Sequence, residues 1–151
     1  LEKGLVLEAA AIHDALRVCD FKEFIPEKFP QSFTEDDLKI WLDLRKKYGK
    51  IGHSKALGQV LREIGEPQLA NLVEKHDFLQ IDNLHTWEEK TIYYADKRVD
   101  QDRITPLLER LKKGKERNVR TPQEEENHIQ ITKKILALEK EFTDELGTLP
   151  I

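Results

Sequence analysis

Leu5-Val6-Leu7-Glu8-Ala9-Ala10-Ala11-Ile12-His13-Asp14 is a run of apolar helix formers that ends on an imidazole and a carboxylate side by side. Ala and Leu lead the helix-propensity scale, and neither Gly nor Pro interrupts the run, which predicts a first helix from about Glu2 to Cys19. Desolvation penalises His13 and Asp14 on so apolar a helix unless something pairs with them, and a divalent metal is one partner that satisfies both. Three further ligand-type residues, His53, His76 and Asp96, stand at the edge of or inside later apolar-periodic segments. Folding can bring such residues from several helices to one ion. The stretch reads as the opening of a metal-centred helical bundle.

The rest of the chain keeps the same period. Residues 20–33, with Pro26 and Pro30, read as a loop. Thr34 has the form of an N-cap ahead of Glu35, Asp36 and Asp37, and Leu38, Trp41, Leu42 and Leu44 stripe a helix that Gly49 and Gly52 stop. A third helix is expected from Ser54 to Ile64, with Leu57, Val60, Leu61 and Ile64 inward and Gly65 as its break. Pro67 opens a fourth that carries Leu69, Leu72 and Val73 to His76. Thr86-Trp87-Glu88-Glu89 is a capping box, and the helix behind it is expected to bury Trp87, Thr91, Tyr94 and Ala95 with Ile92 and Val99, leaving Asp96 beside that face. Pro106 starts a sixth helix through Leu107, Leu108 and Leu111, ended by the basic turn Lys112 to Arg117. Thr121-Pro122 caps the last, where Ile131, Ile135, Leu138 and Phe142 follow one face to Gly147. With no run of alternating β-branched residues, the fold class is all-α, a compact bundle of about six to seven helices in a single domain, 1–151.

A chain of 151 residues can close one core without a disulfide, and its single Cys19 cannot form one. No signal peptide and no apolar run of about 18 residues is visible, which predicts a cytoplasmic chain without a membrane span. Lys+Arg 25 against Asp+Glu 29 gives a net charge of -4, which carries no footprint for a nucleic-acid polymer and is compatible with a nucleotide as substrate. The final helix, Thr121 to Leu146, fits both covering its own core and pairing with a second copy in a homo-oligomer.

Each candidate ligand taken singly also has a structural explanation. His13 suits a buried ring bonded to a backbone carbonyl, Asp14 an ion pair with Arg17, and His53 a residue just before the Ser54 helix. His76 suits a cation at a helix C-terminus, and Asp96 a salt bridge with Lys97 or Arg98. Trp41 and Trp87 read as core, and His85 and His128 as loop and wet-face residues outside the site.

Four motifs stand in order: the doublet above; Gly52-His53-Ser54-Lys55-Ala56-Leu57-Gly58 with Leu61-Arg62-Glu63-Ile64-Gly65; Val73-Glu74-Lys75-His76; and Glu88-Glu89-Lys90-Thr91-Ile92-Tyr93-Tyr94-Ala95-Asp96-Lys97-Arg98-Val99. Their arrangement resembles the HD-domain superfamily of metal-dependent phosphohydrolases. The resemblance implies that His13, Asp14 and Asp96 hold a first metal and that His53 and His76 match the intervening histidines of two-metal members. Asp77 falls where some members carry a further histidine. It also implies an upstream ligand histidine. Only twelve residues precede His13, so that helix is expected either outside this sequence or missing from the site. His13-Asp14-Ala15-Leu16-Arg17 replaces the frequent His-Asp-Ile-Gly-Lys, keeping the charge at Arg17 while Leu16 fills the space of a glycine.

The implied function is hydrolysis of a nucleotide or other small phosphate ester. Asp14 would orient the attacking water, and Arg17, Lys97 and Arg98 would contact the substrate phosphate. Mixed nitrogen and oxygen ligands suit one or two ions of iron, manganese, cobalt or zinc. The alternative is a catalytically silent HD-like domain that binds a nucleotide or a protein partner in a regulatory role. A helical interaction module without a small ligand is the third reading, and it predicts separated side chains.

Overall fold

The computed structural model describes residues 1–21, 23, 25 and 33–148; the expected loop prolines, Pro26 and Pro30, lie outside the described residues. The fold is all-α. Its helices are α1 Lys3–Ile12, α2 Glu35–Tyr48, α3 His53–Glu63, α4 Pro67–Glu74, α5 Trp87–Arg98, α6 Leu107–Asn118 and α7 Pro122–Leu146, with short 3-10 helices at Arg17–Asp20 and Phe78–Asn83. Two-residue strands, β1 Val99–Asp100 and β2 Arg103–Ile104, pair antiparallel. Among the described residues no helix is long and apolar enough to cross a membrane. The chain divides into two compact units, 7–74 and 1–6 with 75–151.

In the unit of residues 7–74, the expected first helix stops at Ile12 rather than Cys19. Beyond it the backbone bonds tighten to three-residue steps: Ala15 N to Ile12 O, Arg17 N to Asp14 O, Cys19 N to Leu16 O. The polar side chains explain the stop. The His13 ring donates from Nδ1 to the Ala10 carbonyl at 2.8 Å, satisfying a helix-end acceptor, and a carboxylate such as Asp14 is disfavoured at the negative helix terminus. Leu16, Val18, Cys19 and Phe21 then turn inward to Trp41, Leu44 and Tyr48 of α2 and Ala56 and Val60 of α3. Helix α2 begins where expected. Thr34 accepts from the Asp37 amide at 3.1 Å and Asp37 accepts in return from the Thr34 amide at 2.8 Å, the reciprocal bonds of a capping box. Helices α3 and α4 pack closely because Gly58 has no side chain: the Glu74 carboxylate, held by Arg62 at 2.7 and 2.8 Å, occupies the place of a Cβ.

The other unit is built on α5, α6 and α7. Capping boxes Thr86/Glu89 and Thr121/Glu124 start α5 and α7 at the expected positions. Tyr93, Tyr94, Leu107, Leu111, Ile135, Leu138 and Phe142 form its core, flanked by Phe78, Ile81, Leu84 and Ile131. The α7 face is as expected, whereas the buried face of α5 differs. Ile92, Tyr93, Tyr94 and Lys97 are buried, Ala95 is exposed, and Trp87 is 39% exposed. Aromatic volume decides this. Tyr93 is fully enclosed and reaches the Phe78 carbonyl at 2.9 Å, and Tyr94 stacks on Phe142 with its hydroxyl on Glu139 at 2.7 Å, a fit that small Ala95 cannot supply. Helix α6 also continues through the basic segment to Asn118, and Leu108 points outward. Basic residues suit a helix C-terminus and do not end one.

Ile135, with 0% exposure, and Leu108, with 62%, test this assignment. Ile135→Ala is expected to cost about 2–5 kcal/mol in urea denaturation and Leu108→Ala less than about 0.5 kcal/mol. Equal losses would contradict it.

Candidate metal centre

The doublet sits in the turn after α1, and the 3-10 geometry behind it arranges the site. With about three residues per turn, positions three apart eclipse, so Asp14, Arg17 and Asp20 line one edge of this segment. They face His53, the first residue of α3, one position earlier than the expected helix start. Gly52 at φ 80 turns the chain into α3 in a conformation that other residues rarely adopt.

Both ring nitrogens of His53 meet carboxylates. Nδ1 is 2.5 Å from Asp20 Oδ2, and Nε2 is 3.0 Å from Asp14 Oδ1. The other oxygen of Asp20 accepts from the His53 backbone amide at 2.9 Å, so one side chain both caps α3 and fixes the ring. The Arg17 Nη1 lies 3.4 and 3.2 Å from the two ring nitrogens, 3.6 Å from Asp14 Oδ1 and 3.7 Å from Asp20 Oδ2. The His53 side chain is only 8% exposed, whereas Asp14 and Arg17 are half-exposed, so the cluster opens to solvent on their side. Burial pulls the His53 pKa down, but hydrogen bonds with Asp14 and Asp20 outweigh it and hold the ring above its ordinary 6.5. In turn the hydrogen bond from His53 lowers the Asp14 carboxyl, against burial and with help from Arg17 and His13.

Asp14 and His53 lie close enough to share a metal ion. At 2.0–2.2 Å per bond, two ligand atoms at a right angle around an ion stand about 3 Å apart, the separation of His53 Nε2 and Asp14 Oδ1. Carboxylates can only accept, so His53 donates from Nδ1 to Asp20 and from Nε2 to Asp14; Asp20 orients the ring, the support that metal-binding histidines ordinarily have, and Nε2 is the nitrogen that would give up its proton to an ion. The donor set therefore fits a transition ion with mixed nitrogen and oxygen preference. His13 has the same tautomeric bias, with Nδ1 on the Ala10 carbonyl and Nε2 4.0 Å from Asp14 Oδ2. It does not join Asp14 and His53 in a group of ligand atoms within 4.8 Å of one another.

The remaining expected residues belong to the other unit. His76 is buried, and its carbonyl accepts from Lys97 Nζ at 2.7 Å. Lys97 is itself buried, pairs with Asp96 at 2.7 Å and lies 4.5 Å from the centre of the Tyr93 ring. Arg98 donates to the Thr105 carbonyl and the Tyr94 hydroxyl. Asp77 caps the 3-10 helix at Phe78–Asn83 by accepting from the Leu79 amide at 2.8 Å. The side chains of Asp77, Asp96, Lys97 and Arg98 thus have a structural employment within their own unit, whereas the contact of His76 with Lys97 is made by its backbone and leaves the role of the buried ring unassigned.

Asp20 is the residue that sequence reasoning missed. Its signal is the repeated three-residue spacing from Asp14 through Arg17, which drifts around an α-helix with each step and becomes a straight line on a 3-10 segment. No family model, curated protein or solved structure matches the chain.

The His53 shift has a signed consequence. Its folded pKa is raised, so its contribution to stability is fully present below the unfolded value of 6.5 and is lost as pH rises through the folded pKa. In Asp20→Asn the amide oxygen still caps α3 but the charge is gone. The His53 titration followed by NMR is expected to move down, and the decline of stability above neutral pH to flatten. An unmoved titration would contradict the assigned pairing.

Proposed function

We propose that this chain is a metal-dependent phosphohydrolase of the HD type, acting on a nucleotide or other small phosphate ester. The observation that carries the reading is the line Asp20–His53–Asp14, in which a buried imidazole is oriented by one carboxylate and presents its second nitrogen to another. The ion would lower the pKa of a bound water and offset charge building on a phosphoryl oxygen. Asp14 binds and orients the attacking water, being the half-exposed member of the line. His53 supplies a neutral nitrogen once Nε2 gives up its proton, while Asp20 prevents the ring from turning. Arg17 has the planar donor fork that grips a phosphate through two oxygens. The resemblance to the HD-domain superfamily implies His13, His76 and Asp96 as further ligands of the metal.

One observation favours the regulatory alternative, a domain of the same type that binds a nucleotide or protein partner without hydrolysis. The Arg17 guanidinium already lies within 3.7 Å of an oxygen of both Asp14 and Asp20, so the carboxylates have a counter-charge of their own without an ion.

Metal content and phosphate release from nucleoside phosphates, measured on the full chain supplied with manganese, iron, cobalt or zinc, separate the two. The phosphohydrolase reading expects bound metal and turnover, with Asp14→Asn reducing release about 100-fold or more. Asp20→Asn is expected to weaken metal binding about tenfold through loss of its orienting role. His13→Ala, His76→Ala and Asp96→Ala in the same assay report on the other assigned ligands. Absence of both metal and turnover in the unaltered chain would remove the enzyme.

A further inference from the structure

Arg17 is placed where a positive ion would be most attracted. Its Nη1 is within 3.7 Å of Asp14 Oδ1, of Asp20 Oδ2 and of both nitrogens of His53, and those same Asp14 and His53 atoms form the candidate ligand edge. A guanidinium so close to a divalent ion would be repelled, because two like charges a few ångström apart near a protein surface interact by several kcal/mol before screening. The side chain also has somewhere to go. It is 54% exposed and extends from a 3-10 segment whose backbone is fixed by its own hydrogen bonds, so the head can leave without disturbing the fold.

We infer that the Arg17 guanidinium is a tethered cation that competes with a divalent metal for the Asp14–His53–Asp20 cluster and is drawn off it by a phosphate anion. This rests on the metal reading above and adds regulation to it. In the closed state Arg17 neutralises the carboxylates. In the open state the metal takes over that charge, and Arg17, now uncompensated, offers its donor fork to phosphate. Metal and phosphate then bind with positive coupling, each tightening the other by the same factor, as linkage requires. A phosphate ester would thereby recruit the ion needed for its own hydrolysis.

The test is Mn2+ binding to the full chain, followed by loss of the free-ion EPR signal, with and without inorganic phosphate. For Arg17→Gln, Mn2+ is expected to bind about tenfold tighter than to the unaltered chain, after screening at the exposed edge is allowed for. Phosphate is expected to tighten Mn2+ binding in the unaltered chain and much less in Arg17→Gln. If Arg17→Gln lacks the far-UV spectrum of the parent, Arg17→Met replaces it, keeping the aliphatic stem without the charge. Equal Mn2+ affinity in parent and variant would overturn the competition while leaving the metal site intact. A phosphate effect of the same size in both would overturn the coupling through Arg17, assigning it to direct contact between anion and ion. No Mn2+ binding in either protein would overturn both the metal reading and this inference.

Discussion

The grip of Asp20 on His53 is the constraint from which the rest of the candidate site follows. One oxygen holds the first amide of α3 and the other holds the ring of the residue carrying that amide. The helix start and the orientation of its imidazole are therefore not independent. A cap ordinarily contributes about 1 kcal/mol to a helix, and here the same side chain also fixes which edge of the imidazole faces Asp14. Gly52 makes the joint approach sterically open, since its positive φ lets the backbone enter α3 next to the Asp20 carboxylate.

Around that contact the electrostatics are self-consistent. Two carboxylates and a guanidinium surround one imidazole, each within 3.7 Å of another member of the group. The ring of His53 is buried, so the carboxylates act on it more strongly than they would in water, while Asp14 and Arg17 keep contact with solvent. Such a cluster is stable as it stands and remains reachable from outside.

Much of the architecture is legible in the sequence because it is written in local chemistry. Thr34, Thr86 and Thr121, each followed three residues later by an acid, mark three helix starts, and the stripe Ile135, Leu138 and Phe142 marks a buried face. The α5 face is less legible, since adjacent aromatic residues compete for the interior and the winner depends on the shape of the helices opposite. The candidate site is legible in part. His13, Asp14 and His53 stand out by residue type, but Asp20 looks like the first residue of a loop until the chain is known to leave the α-helix at Ile12. Lys97 shows the opposite failure: its charge beside Asp96 reads as a contact for a substrate phosphate, yet its stem and ammonium are enclosed by Tyr93, Asp96 and the His76 carbonyl.

The three-residue rhythm from Asp14 to Asp20 makes that segment length-locked. Exchanging one side chain there removes that residue's own contacts without changing the backbone spacing of the others. Inserting or deleting one residue would rotate everything downstream by about a third of a turn and disperse the whole set at once. Related chains that preserve this chemistry are thus free to vary in composition at positions 15, 16, 18 and 19 within the demands of packing, but are held to an unchanging count of residues between the two carboxylates.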